Sequence, residues 1–519
     1  MSEIIITTVT ALLRFICLTF RPIFMLIYHR KLPGMPPIKN HLLKLSATAL
    51  AKKIRNGELS SQTVVETYIE RIKEVNPLIN AVVEDRFEQA ILDAKTCDAR
   101  LKSGEVVAET LETEKPLYGV PVTIKESCSL KGMSLTGGVM SRKGIKATED
   151  GKAVELFKNA GAIPLLVSNT SELCSSVHTN NNLFGATKNP YDRRRTPAGS
   201  SGGEAALISA GASVLGIGSD LAGSIRIPAS FNGIFGHKPT PGLVPLNGHF
   251  PIAGSVDDNS VLVIGPLARC VDDLCLAMKL LNSKSEKTLH PIEPINLKYT
   301  KVYYLDNINH CCGMRSTSSE IKQAIHKAAS YLSEKGAHVE KMPQRWVRDM
   351  FSMMIAVASE IQVPNLLNID NPEVKKNAFL ELVKATLGMS QYTSTVAFLQ
   401  LFINTVKHIS PSRIEHILQL KEKIREEVNN ELRGNAVIIS PTYPRVADYP
   451  QLMFFQPDST IYSGFANIMQ LPSTSVPMGF NKSGLPVGIQ VISAAYQDHV
   501  CLAVAKELEK AFGGWIPPS

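Results

Sequence analysis

Residues 196–241 read TPAGSSGGEAALISAGASVLGIGSDLAGSIRIPASFNGIFGHKPTP, and no other stretch limits the fold of this chain as tightly. Glycine returns at Gly199, Gly202, Gly203, Gly211, Gly216, Gly218, Gly223, Gly233 and Gly236, with the small hydroxyls Ser200, Ser201, Ser219 and Ser224 between them. Glycine loses more conformational entropy on folding than any other residue, so such a run needs a reason. The reason expected here is a set of backbone N–H groups that approach a substrate oxygen with no side chain in the way. A flexible Gly/Ser tether is the other source of this composition. Against it, residues 205–217 are apolar and helix-compatible, and residues 225–235 are too hydrophobic for a solvated linker. The stretch belongs inside a packed domain.

Elements on either side of it can be read from periodicity. Residues 47–55 and 63–75 form amphipathic helices; in the second, Val64, Val65, Tyr68, Ile69, Ile72 and Val75 share one face. Ser60 or Ser61 caps that helix, and Asn76-Pro77 is expected to end it. A third helix covers residues 86–102. Strand-like runs occupy residues 119–124, leading directly into Lys125 and Glu126, then 162–167 after a helix at 152–160, then 214–218, 437–440 and 487–492. This alternation predicts an α/β fold, a sheet covered by helices on both faces. From about residue 283 to 433 strand signals thin out and helices dominate. There Met350, Phe351, Met353, Met354, Ile355 and Val357 cluster, as does the run at 396–406; both read as core helices or as a soft, lipid-facing wall.

The chain starts with an apolar segment. Residues 4–28, IIITTVTALLRFICLTFRPIFMLIY, are long enough to span a bilayer. Arg14 and Arg21 interrupt them, with Pro22 beside the second, and an arginine at mid-membrane is costly. The segment is expected to span or to lie as an interfacial hairpin. His29, Arg30 and Lys31 then favour the cytosolic side for the remainder. The expected organisation is a membrane-anchor segment at 1–31, a proline-rich linker at 32–40 and one domain at 41–519. The net charge of +8 is scattered, with no basic block interleaved with aromatics, which excludes nucleic acid as an expected partner. Nine cysteines without a CxxC pair, Cys311 and Cys312 included, read as reduced thiols and not as a metal site.

Chemistry is concentrated in three places: Lys125 at the end of an apolar strand, the Gly-Ser-Ser-Gly-Gly around Ser200, and Asp-x-x-Gly-Ser-Ile-Arg-x-Pro around Ser224. Singly, these read as a snorkelling lysine, a loop hydroxyl and a capping serine. Together with LYGVPVTIKES, GAIPL, FNGIFGHKP and GLPVGIQVI they resemble the amidase signature family from about residue 41 to the end, and within it the second fatty-acid amide hydrolase branch. The resemblance implies the amidase-signature fold, with a central mixed twisted sheet. It also implies a triad of Ser224 as nucleophile, Ser200 as bridge after a cis peptide at Gly199-Ser200, and Lys125 as base. Those types suit the task, because a serine hydroxyl needs an adjacent base. An oxyanion hole from the N–H groups of Leu221, Ala222, Gly223 and Ser224 is implied too, with Ser201, Asp220 and Arg226 in structural roles. Ala222 and Ala198 stand where many family members have glycine; if Ala222 needs φ > 0, alanine is strained there.

What the resemblance implies for function is serine-based hydrolysis of a carboxylic amide, a fatty-acid primary amide or N-acylethanolamine, through an acyl-enzyme and with no metal or organic cofactor. The expected partners are a lipophilic amide and a membrane, with a homodimer as the candidate assembly. Two other readings stay open: the amidase subunit of a tRNA-dependent amidotransferase, and a non-catalytic lipid-binding member.

Overall fold

The apolar runs that flank the glycine-rich stretch become the middle of one large sheet. The computed structural model describes residues 2–30, 32–251, 261–282, 289–308, 316–360, 365–371 and 373–519; Cys311 and Cys312 lie outside them. Its strands, in chain order, are β1 (Val82–Asp85), β2 (Pro121–Lys125), β3 (Ile163–Ser168), β4 (Asn180–Asn181), β5 (Gly185–Ala186), β6 (Leu215–Asp220), β7 (Phe235–Lys238), β8 (Val263–Ala268), β9 (Lys301–Tyr304), β10 (His338–Lys341), β11 (Ala436–Pro441), β12 (Ser473–Phe480) and β13 (Pro486–Ser493). β4 and β5 form a small ribbon. The others make an 11-stranded sheet in the order β1-β3-β2-β6-β8-β7-β12-β13-β11-β9-β10. β2 runs parallel to β3 and β6, and β9 parallel to β10 and β11; β6, β8, β7, β12, β13 and β11 pair antiparallel in succession. The sheet is mixed, as the family resemblance implies.

Both faces of the sheet are covered. Successive residues of a strand point to opposite faces, and on β11 they enter different cores. Val437 and Ile439 pack with Ile321, Ile325 and Leu332 of the helix Ser319–Glu334. Ala436 and Ile438 pack with Ile424 and Val428 of the helix Pro411–Leu432 and with Met350 and Met353 of the helix Met350–Glu360. The methionine-rich helix is therefore core, and Met350, Met353, Ile355 and Val357 are buried; the lipid-facing reading does not hold for it.

Three boundaries differ from expectation for identifiable reasons. The second helix runs Ser61–Ile79, through Pro77. Buried Ile79 extends its apolar face, Asn80 closes it in the left-handed region (φ 50°), and Asn76 Oδ1 accepts from the N–H groups of Ala81 and Val82. The helix-compatible run after Gly202 ends early, as the short helix Gly202–Ser209, and the strand expected at 214–218 follows as β6. Finally, residues 283–433 are not wholly helical, since β9 and β10 form an edge of the main sheet. The outermost strand, β10, reads HVEK, short and mostly polar, which is how edge strands avoid pairing with other chains.

The apolar N-terminal segment forms a single helix, Ser2–Ile27, with Pro22 inside it. Among the described residues no helix is long and apolar enough to cross a membrane, so the spanning alternative is not supported. Instead the second half of this helix docks on the domain. Arg21 pairs with Asp448, Cys17 is buried against Tyr449 and Leu452, and Tyr28 stacks on Tyr449 with ring centroids 5.3 Å apart. Asp448 is itself held by Arg195 and Gln456. Replacing Arg21 with alanine is expected to loosen this helix alone. Amide hydrogen exchange across residues 15–27 should accelerate about tenfold, roughly 1.4 kcal/mol, while β2 and β6 keep their protection.

Candidate active site

β2 and β6 are parallel neighbours, with Thr123 opposite Gly216 and Ile124 opposite Ile217. Their carboxyl ends therefore emerge side by side, where open α/β sheets gather ligands. Lys125 is the last residue of β2; Ser219 and Asp220 are the last two of β6. The loop before the helix Gly202–Ser209 brings Ser200 to the same place. Lys125 Nζ donates to Ser200 Oγ at 2.6 Å and to Ser219 Oγ at 3.0 Å, and all three residues are buried. The Gly199–Ser200 peptide is cis, as the resemblance implied. Thr170 Oγ1 donates to the Ser200 carbonyl at 3.1 Å and pins the loop from below.

Ser224 sits in the turn between β6 and the helix Arg226–Phe231. Its carbonyl accepts from the Ser201 N–H at 3.2 Å, which ties the two serine loops together. Ser224 is half-buried where Lys125 and Ser200 are fully buried. Among the described residues its hydroxyl makes no hydrogen bond. The fold thus joins lysine to the expected bridge and ties the loop of the expected nucleophile to the loop of that bridge.

Asp220 shapes that turn. Its carboxylate accepts from the N–H groups of Gly223 at 2.7 Å and Ile225 at 3.0 Å, and Ser463 Oγ donates to the Ala222 carbonyl at 2.7 Å. Of the four expected oxyanion donors, Gly223 is thus already engaged. The N–H groups of Leu221, Ala222 and Ser224 have no partner among the described residues. Gly223 has φ 119°, and a Cβ there would run into the Ser463 side chain, so only glycine fits. Ala222 is not in the left-handed region, and its methyl is accommodated. The strain falls on buried Ala198, at φ 63°. It is held there by Thr179, whose N–H and Oγ1 donate to its carbonyl, and by Thr196 Oγ1, which accepts from its N–H.

The other glycines serve a purpose different from the one expected. A Cβ at Gly199, Gly202, Gly203 or Gly216 would collide with Ser176 O, Thr179 Oγ1, Asn169 O or Glu204 Oε2 respectively. These positions let the protein pack against itself; they do not open N–H groups to a substrate.

Arg226 and Asp220 form a buried ion pair, with both side chains at 0 % exposure. Burial alone would raise the Asp220 carboxyl, but the Arg226 guanidinium holds it well below the usual carboxylate range. Arg226 also donates to Ser463 O, Gln490 Oε1 and Asn467 Oδ1. Ser201 Oγ bonds across to the Ser219 backbone, so the structural reading of Ser201, Asp220 and Arg226 matches their geometry. Sequence reasoning missed Ser463, Asn467 and Gln490, which lie more than 230 residues downstream and carry no local signal. It also gave Ser219 no role, although a hydroxyl ending the strand next to Lys125 was visible.

Residues 63–502 match the family model described as Amidase. The chain is 39% identical over 493 residues to Fatty-acid amide hydrolase 2-B of Danio rerio, covering 93% of this chain and 92% of that one. It is 28% identical over 488 residues to a Glutamyl-tRNA(Gln) amidotransferase subunit of Prochlorococcus marinus, covering 89% and 96%. A solved structure titled Fatty acid amide hydrolase superposes with a TM-score of 0.74 at 22% identity, over 93% of this chain and 87% of that one.

Two substitutions probe the turn. Arg226→Ala leaves Asp220 buried without its counter-ion and should cost about 3–5 kcal/mol, read as a lower urea midpoint. Ala198→Gly relieves left-handed strain but frees the unfolded chain, and should raise stability by roughly 0.5–1 kcal/mol in the same assay.

Proposed function

The chain belongs to the amidase family and is an amide-hydrolysing enzyme, and on that premise we propose that it cleaves fatty-acid amides by serine catalysis. The observation that carries the mechanism is the 2.6 Å contact between Lys125 Nζ and Ser200 Oγ, fully buried, in a loop tied to that of half-buried Ser224. Ser224 Oγ attacks the acyl carbon. Its proton passes through Ser200 to Lys125, which returns it to the leaving amine, and water then releases the acid from the acyl-enzyme. The N–H groups of Leu221, Ala222 and Ser224 receive the oxyanion.

The greater similarity to a fatty-acid amide hydrolase than to an amidotransferase subunit supports a primary fatty-acid amide or N-acylethanolamine as substrate. The intact Lys125–Ser200 pair argues against a non-catalytic lipid-binding role.

We also propose that the enzyme works at a membrane surface. Phe15 and Leu26 on the N-terminal helix are 67% and 78% exposed, and Phe379, Leu387 and Met389, on or just after the helix Ala378–Thr386, are 63%, 67% and 74% exposed. Ring contacts link these two regions. Phe398, on the helix Ser394–Val406 that packs against Ala378–Thr386, meets Phe454, which meets Phe455, each pair at 5.3 Å. Phe455 in turn packs in the cluster that holds Cys17 and Phe24. Apolar faces of this kind suit a helix lying in the bilayer interface with its arginine on protein.

A fluorophosphonate should label wild-type enzyme at Ser224. Ser224→Ala should abolish labelling and turnover at unchanged melting temperature; residual hydrolysis within tenfold of wild type would sink the assignment. Lys125→Ala should lower kcat about 10²–10⁴-fold and leave a rate that rises with pH. Substituting Phe379, Leu387 and Met389 together with serine should shift protein from vesicles into solution and weaken the preference for long acyl chains. Unchanged vesicle partitioning would rule out that face as a membrane contact.

A further inference from the structure

Lys125 has two hydroxyl neighbours, and Ser200 is the one that leads to Ser224. The other, Ser219, has a second contact of its own: His249 Nε2 lies 2.8 Å from Ser219 Oγ. The chain carries His249 there beside the strand that ends in Lys125. Cys128 and His249 form an antiparallel bridge, and the Phe250 N–H donates to the Ser127 carbonyl at 2.8 Å. His249 is buried, and its Nδ1 is 2.9 Å from the Pro251 carbonyl.

A carbonyl only accepts, so Nδ1 carries a proton. In a neutral ring Nε2 is then a lone pair, and it accepts the Ser219 proton. Ser219 has one proton to give. Once that proton is on the His249 side, Ser219 Oγ faces Lys125 solely as an acceptor. Lys125 turns an N–H toward Ser219, and its lone pair is left for the proton of Ser200. Without the ring, Ser219 is free to donate to that lone pair and occupy the base.

We propose that His249 is a positioning residue for this reaction, acting through Ser219 to aim the lone pair of Lys125 at Ser200. The inference rests on the serine mechanism above. Among the described residues, two further groups face the ring. Ser127 Oγ lies 3.3 Å from Nε2. Cys174 is the other: burial raises its thiol, but the Lys125 charge and a hydrogen bond with His249 outweigh that and bring it down to about 5. A ring held doubly protonated by this thiolate would give Nε2–H to Ser219 and turn the Ser219 proton onto Lys125. It would then hinder the base, and its removal would speed the reaction.

The full-length enzyme in vesicles, hydrolysing a long-chain primary amide, distinguishes these cases. His249→Leu should lower kcat about tenfold, the worth of one oriented hydrogen bond, with KM within about twofold. Labelling of Ser224 by a fluorophosphonate should slow in parallel. His249→Gln, whose side-chain oxygen can accept the Ser219 proton, should restore kcat to within about threefold of wild type. Combining His249→Leu with Ser219→Ala should cost no more than the worse single change, since both cut one chain of hydrogen bonds. An unchanged or raised kcat in His249→Leu, a glutamine variant as slow as leucine, or additive losses would each overturn the proposal. If His249→Leu fails to fold, an undiminished kcat in Ser219→Ala overturns it. Absence of labelling in wild type would instead overturn the serine mechanism itself, and this inference with it.

Discussion

The buried pair of Asp220 and Arg226 is the interaction on which the site depends. A guanidinium and a carboxylate at zero exposure are tolerable only if nearly every donor and acceptor is matched. Here they are: Arg226 makes five hydrogen bonds, two to Asp220 and one each to Ser463, Gln490 and Asn467. Asp220 accepts in addition from the N–H groups of Gly223 and Ile225 and from Asn467 Nδ2. The partners come from the helix Ile461–Ile468 and from β13, so the turn that bears Ser224 is fixed by elements from the far end of the chain. This also decides which N–H groups stay available. The carboxylate takes those of Gly223 and Ile225 and leaves those of Leu221, Ala222 and Ser224.

Much of this was legible in the sequence because the chemistry is local. Lys125 closing VPVTIK and the hydroxyls around the glycines are features of short segments, and the strands β2, β3, β6, β11 and β13 are apolar runs that periodicity finds. What was not legible depends on contacts across the fold. β7 reads FGHK and β9 KVYY, too short and mixed to signal a strand without their neighbours. Proline 77 looked like a helix stop because its local penalty is plain, whereas the packing of Ile79 that outweighs it is tertiary. The glycines were assigned to substrate contact, yet most are set by clashes with residues such as Asn169 and Thr179, which no local pattern connects to them. Similarly, strain was considered at Ala222, whereas the backbone path places it at Ala198.

The N-terminal helix shows the same limit in another form. Its hydropathy suits a membrane, but hydropathy does not say what the two arginines are for. Arg21 answers that by pairing with Asp448, a residue that also holds Arg195 and Gln456 and whose carbonyl accepts from the Thr196 N–H. The helix is thereby anchored on a residue that also holds Thr196, just before the serine loop. A second link runs from the helix Ser394–Val406 to the site. The N–H of its cap, Thr393, donates to Glu172 at 2.7 Å, two residues before Cys174. Burial pushes Glu172 up to about 7, so the charge on this link varies near neutral pH. Both apolar faces are therefore tied to the loops that carry the site.

A lysine acts as a base through its nitrogen lone pair, and the groups in direct contact with the Lys125 nitrogen are hydroxyls. Ser200 and Ser219 contact its nitrogen directly and carry no charge. The nearby carboxylate is Glu204, in the helix behind Ser200, with Oε2 accepting from Thr123 Oγ1 at 2.6 Å. An ionised carboxylate there would stabilise the ammonium. Burial instead raises Glu204 to about 7, against the pull of Lys125 itself, so the full negative charge is not developed at neutral pH. Asp220, the one carboxylate at the end of β6 that stays ionised, is neutralised by Arg226. With the nearby carboxylates disposed of in these two ways, the direction of hydrogen bonds around Lys125 is left to the hydroxyls. That is why a group as distant as His249, which reaches the lysine through Ser219, gains control over where the lysine lone pair points.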